Sequence, residues 1–176
     1  MKQARPMAHQ TTQQFTQQST QQKAGRTLWI CDRHALRLRW VMAEIENLFP
    51  LSGSQFDNLA PAEVAYLDQF STRFGKLQDA MGAKLFPQAL ELVKEQGSLQ
   101  TFIDKLNRLE KIGAIDSAEQ WLILRELRNA FAHDYPEDSE LNAATLNRAV
   151  PLAEQLLDVY EKIKAFALRY GAVLPD

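Results

Sequence analysis

The side chains best suited to chemistry in this chain of 176 residues lie close together, at Arg128, Asn129 and His133. Arginine is a permanent cation whose planar fork matches two oxygens of a phosphate. Histidine exchanges a proton near neutral pH. An arginine that holds a phosphodiester and a histidine that deprotonates a ribose 2′-hydroxyl suffice for metal-free RNA cleavage. On a helix, five steps place Arg128 and His133 about 140° apart. One protomer therefore points both around the same edge without enclosing a substrate. A two-fold dimer would bring two arginines and two histidines around one cleft. The ordinary alternative is that both are surface residues, with the histidine favouring the helix C-terminal dipole.

The element that must position them is a helix running from Ser117 to His133, stopped by Pro136. Ser117-Ala-Glu-Gln120 has the form of a capping box, in which serine and glutamine side chains each satisfy an orphan N–H. Helical spacing predicts a core face of Ile123, Leu124, Leu127, Ala130 and Phe131. Trp121, Arg125, Arg128 and Ala132 fall on a separate stripe, and Asn129 and His133 share the opposite flank. A tryptophan and two arginines on one stripe point to a partner or an anion. Arg125 is a candidate RNA contact, with stacking on Trp121 as the alternative.

The rest of the chain reads as further helices. Leu and Ala number 46, against 13 Val and Ile, and Gly and Pro total only 14. Good helix formers dominate and β-branched residues are scarce. The first helix is expected over about Trp29–Phe49, with Leu36, Trp40, Val41, Ile45 and Leu48 on one side. Pro61 suits a first helical position, and Leu67, Phe70, Phe74, Leu77, Met81 and Leu85 repeat on one face. Pro87 breaks or kinks the chain, and a shorter helix from Ala89 ends near Gly97. Ser98 is expected to cap the next helix, with Phe102, Ile103, Leu106, Leu109 and Ile112 inside and Gly113 as its left-handed end. A last helix spans about Ser139–Tyr170, bent at Pro151 and ended by Gly171. Four or five amphipathic helices joined by short connections make an up-and-down bundle.

Charge and composition narrow the class further. Hydrophobic residues make up 45% of the chain and charged residues 24%, with a formal net charge of −2. That is globular composition, and no run approaches the roughly 18 apolar residues of a membrane span. The first 26 residues carry Lys2, Arg5, Lys23 and Arg26 and no acid, a charge of +4, which leaves −6 for residues 27–176. This Gln/Thr-rich segment has little to bury and reads as a disordered tail, with a single domain over 27–176. It lacks the apolar run of a signal peptide, so a cytoplasmic protein is expected. The lone cysteine, Cys31, excludes an internal disulfide or a Cys-built zinc site and reads as a buried thiol. His34 reads as structural or exposed, and Arg73 as reaching either the cleft or Asp79. An acidic domain is not a general coat for nucleic acid, although local positive charge stays compatible with a narrow site.

Arg128–Tyr135 reads RNAFAHDY, of the form R-N-x-x-x-H-x-Y. This pattern resembles the signature of HEPN-domain proteins, and its trailing tyrosine resembles the HepT-like toxins of HEPN/MNT toxin–antitoxin pairs. The segments LNRLEKIGAIDSAEQWLILRELRNAFAHDYP and FSTRFGKLQDAMGAKLFP look similar to that group, and the likeness covers roughly residues 29–170. The resemblance implies an all-α HEPN-like bundle that dimerises through its motif helices. It implies a metal-independent endoribonuclease without a cofactor, in which Arg128 binds the scissile phosphate and His133 is the general base or acid. Asn129 would orient the histidine or the phosphate. Tyr135 would match the position that a partner MNT-type nucleotidyltransferase antitoxin modifies with AMP, and such an adduct would block RNA. The other function carried by such proteins is that of a non-catalytic, substrate-binding subunit of a nucleotidyltransferase.

Overall fold

The computed structural model describes residues 6–95, 99–131 and 138–175. These residues form an all-helical bundle, with no strand among them. In chain order the helices are α1 (Pro6–Ile45), α2 (Gly53–Asp57), α3 (Pro61–Ala80), α4 (Phe86–Leu92), α5 (Phe102–Lys111), α6 (Ala118–Phe131) and α7 (Ser139–Arg169). A short 3₁₀ turn, Glu46–Leu48, follows α1, and a π-helical turn, Met81–Leu85, joins α3 to α4. Five of the described helices have ten residues or more; α4 is the expected short helix beside Pro87, begun at Phe86 and ended at Leu92, and α2 is a short addition in what was expected to be a loop.

Helix α1 packs chiefly on α3, and one buried stripe makes that contact. Its members are Ala24, Leu28, Cys31, Ala35, Leu38, Val41 and Ile45, at spacings of three and four. Val41 and Ile45 are inside as expected. Leu36 and Trp40 are not: they face outward, 69% and 49% exposed. Apolar residues lie on both sides of this helix, and the small Ala24, Cys31 and Ala35 select the side that lets α3 approach closely.

The amino-terminal boundary also differs from the sequence reading. Helix α1 starts at Pro6, so the stretch from there to Arg26 is helical rather than an unstructured tail, while residues 1–5 lie outside the described residues. The reason is an anchor at the other end of the chain. Beyond α7, the Val173 N–H donates to the Gln21 carbonyl at 3.1 Å. A Cβ on Gly25 would fall 1.6 Å from the Val173 carbonyl oxygen, so only glycine admits this crossing. Once Ala24 and Leu28 are packed, the Gln-rich residues extend an existing helix and avoid the cost of nucleation.

Helix α3 follows the sequence closely. Pro61 occupies its first turn, Glu63 accepts the Ala60 N–H at 2.7 Å, and Leu67, Phe70, Phe74 and Leu77 are buried. Pro87 lacks an N–H and clashes with the carbonyl four residues back, and the π-helical turn just before it absorbs that mismatch. Helix α5 is capped by Thr101, whose Oγ1 accepts the Asp104 N–H at 3.2 Å while Asp104 accepts the Thr101 N–H at 3.0 Å. Ser98, the expected cap, and Gly97 lie outside the described residues. Gly113 and Gly171 have φ of +76° and +96° and end α5 and α7 as expected.

Helix α7 contributes a second long buried stripe, through Ala149, Ala153, Leu156, Tyr160, Ile163 and Ala167. The buried Tyr160 hydroxyl lies 3.1 Å from the Leu28 carbonyl and 2.8 Å from Asp32, and Lys164 reaches the same carboxylate at 2.5 Å. These bonds tie α7 to α1 beside the core. Among the described residues no helix is long and apolar enough to cross a membrane.

Candidate functional site

Helix α6 starts with half of the expected capping box. Ser117 Oγ accepts the Gln120 N–H at 3.1 Å, but the Gln120 side chain turns to Gln155 at 3.2 Å. The Ala118 N–H is satisfied by Glu110 Oε2 at 2.6 Å.

The core face of α6 is rotated from the predicted one. Ala118, Trp121, Leu124 and Leu127 are buried, whereas Ile123 is 37% exposed. Trp121 is therefore a core residue and not part of an outward stripe with Arg125. Its ring packs at a tilt of 54° against Phe86, 4.4 Å between centroids, over Gly82 of the π-helical turn. Leucine and isoleucine occupy much of the circumference of this helix, and the largest side chain decides which arc turns inward. Phe131 closes the arc with edge-to-face contacts to Phe74 and Phe70 at 5.5 and 6.1 Å.

This rotation lays Arg128 across α3. Its stem passes Gly75, where an added Cβ would sit 3.9 Å from Arg128 Cγ. The guanidinium meets Asp79 in a two-pronged pair, Nε to Oδ1 at 2.9 Å and Nη2 to Oδ2 at 2.8 Å. That pair holds the arginine's proton more firmly than usual, through the hydrogen bond first and the opposite charge second. A guanidinium carries five N–H donors, so both on Nη1 and one on Nη2 stay available for an anion. They border an open cleft of about 240 Å³ lined also by Ser71, Thr72 and Lys76.

Arg125 lies one turn back and holds its guanidinium 5.4 Å above the Phe102 ring rather than on Trp121. It lines a second cleft of about 340 Å³ with Gln78, Asp79 and Gly82. Asp79 thus stands between the two arginines and borders both clefts. Asn129 is exposed on the far flank of α6. His133 and Tyr135 lie outside the described residues, so Arg125, Arg128 and Asn129 are the three candidates placed.

Asp79 was read from the sequence only as a partner for Arg73, and its pairing with Arg128 was not foreseen. Its available signal was its position four residues after Gly75, on the turn of α3 that α6 crosses. Arg73, the partner expected for Asp79, instead turns toward α1, with Nη1 3.5 Å from His34 Nδ1. His34 is half-buried, and its pKa is lowered by burial first and then by the charges of Arg73, Lys76, Arg37 and Arg33.

No family model, curated protein or solved structure matches the chain.

Proposed function

We propose that this protein is a metal-independent endoribonuclease of the HEPN type, the toxin of a HEPN/MNT toxin–antitoxin pair. In this reading Arg128 binds the scissile phosphate and His133, five residues on, moves the proton of the attacking 2′-hydroxyl. The reaction breaks the P–O5′ bond and leaves a 2′,3′-cyclic phosphate. Asn129 orients the reacting groups, and Arg125 extends phosphate binding along the second cleft. The observation that carries the proposal is the setting of Arg128: it is oriented by Asp79, retains free donors and borders a cleft with Lys76.

Two exposed apolar side chains on the same helix, Leu122 and Ile123, supply a face for a second copy and so for a composite site. A partner nucleotidyltransferase would neutralise the enzyme by placing AMP on Tyr135. One observation favours the alternative of a non-catalytic nucleotidyltransferase subunit: Asp79 already neutralises the charge of Arg128.

Purified protein incubated with RNA in excess EDTA separates the two readings. Cleavage is expected, falling about 10²–10⁴-fold in His133→Ala and about 10²–10³-fold in Arg128→Ala. No cleavage of tRNA or mRNA by the unmodified dimer rules the nuclease out. With the partner enzyme and ATP, an AMP label that persists in Tyr135→Phe removes the modification assignment.

A further inference from the structure

The outward face of α1 is unusual for a surface helix. Trp29, Arg33, Leu36 and Trp40 recur at spacings of four, three and four, opposite the buried stripe. The two tryptophans are about half exposed and stand about 16 Å apart along the helix. Arg33 lies 4.7 Å over the Trp29 ring, and Trp40 meets the edge of Tyr66 from α3 at 5.8 Å. The aromatic face therefore continues from α1 onto α3.

A cluster of positive charge borders the same face. Arg33 and Arg37 from α1 and Arg73 and Lys76 from α3 all bear on His34. Among the described residues none of these four takes part in an ion pair. The nearby carboxylate Asp32 is held by Tyr160 and Lys164, and Arg39 has its own partner in Glu161. Arg73 Nε is buried without a hydrogen-bond partner. Four mutually repelling cations on a domain of net negative charge are unfavourable until a polyanion joins them. Lys76 belongs to this cluster and also lines the cleft of Arg128, so it links the positive cluster on α1 and α3 to the candidate site.

We infer that Trp29, Arg33, Arg37, Trp40, Arg73 and Lys76 form a track for single-stranded RNA that leads into the Arg128 cleft, with phosphates on the cations and bases stacked on the two indoles. Exposed indoles accept any base face, and cations between them follow the backbone. An anionic membrane would also attract arginine and tryptophan, but the strip bends off α1 into a cleft on α3 and α6, a path that suits a flexible strand. The choice of RNA as the strand rests on the nuclease reading above; the track itself is tested by binding.

The test uses the full chain and a fluorescent 2′-O-methyl RNA about 12 nucleotides long, which lacks the attacking hydroxyl. The double variant Arg33→Gln/Arg37→Gln is expected to bind at least about tenfold more weakly at roughly 0.15 M salt. Its slope of log K against log salt should shrink by about 1.4, two phosphates' worth. Trp29→Ala/Trp40→Ala should weaken binding about tenfold with little change of slope. Arg169→Gln, exposed on α7, should leave binding unchanged. All four substituted track residues face solvent, and circular dichroism confirms the fold of each variant.

Binding unchanged within about twofold in both double variants overturns the track. So does failure of the wild type to bind the oligomer, or capture of phosphatidylserine vesicles in its place. The two proposals fail separately. Variant-sensitive binding without any cleavage of natural RNA keeps the track and removes the nuclease. Cleavage with variant-insensitive binding does the reverse.

Discussion

Arg128 owes its usefulness to the carboxylate beside it. A free arginine on a helix surface samples many rotamers, whereas two hydrogen bonds donated to Asp79 fix the plane of this one and leave its remaining donors unused. Asp79→Asn keeps one acceptor and loses the charge, so RNA cleavage should fall about tenfold through weaker orientation of the phosphate. Stability should change by about 1 kcal/mol or less, because the pair is largely exposed. A cleavage rate equal to wild type would show that Asp79 does not position Arg128.

Two other residues give predictions of a different kind. The Cys31 thiol is buried and pushed up to about 12, by desolvation first and by Asp32 second. A thiol reagent at about pH 8 should leave the native protein unlabelled and modify one equivalent after denaturation. The lowered His34 pKa makes the native state bind its proton less readily than the unfolded chain does. As pH falls below the unfolded value of about 6.5, the unfolded state takes up the proton first and stability declines. Melting temperature should therefore drop on acidification from neutrality, and His34→Gln should flatten that dependence. An equally steep profile in the variant would remove His34 from the account.

At the scale of elements, the decisive event is which arc of an apolar helix turns inward. Trp121 is fully buried against Phe86, so Trp121→Ala should cost about 3–5 kcal/mol in denaturant unfolding. A loss below about 1 kcal/mol would mean that the ring is not a core member. The periodicity of α3 was legible because Leu67, Phe70, Phe74 and Leu77 keep to one face and mostly polar residues fill the other. That of α1 and α6 was not, because Leu36, Trp40, Leu122 and Ile123 put apolar side chains on both faces. There the choice depends on which neighbour approaches: small residues, Ala24 and Ala35, decide it for α1, and for α6 it is the large Trp121, which fits over Gly82. The helical start of α1 was hidden for a related reason. It depends on contact between Gln21 and Val173, the opposite ends of the chain, which no local pattern encodes. Gly25→Val should accordingly loosen that crossing, read as faster amide exchange in both segments.

For the molecule as a whole, the motif side chains were legible as chemistry, and their surroundings came only with the fold. Arg125 and Arg128 were chosen from spacing, but Asp79 joins them from 46 and 49 residues away in sequence, across the contact of α3 with α6. A composite site further requires two copies. The exposed Leu122 and Ile123 should lie in their interface, so Leu122→Glu/Ile123→Glu should give a monomer by sedimentation and abolish cleavage. A monomeric variant with full activity would remove the dimer from the mechanism. The central claim is the metal-free attack of a ribose hydroxyl beside Arg128, and the chemistry of the new RNA end reports on it directly. Mass spectrometry of RNA cut in excess EDTA should find 2′,3′-cyclic phosphate ends in the wild type and about 10²–10³-fold fewer with Arg128→Ala; fragments ending in a 3′-hydroxyl, or cyclic ends undiminished in the variant, would contradict it.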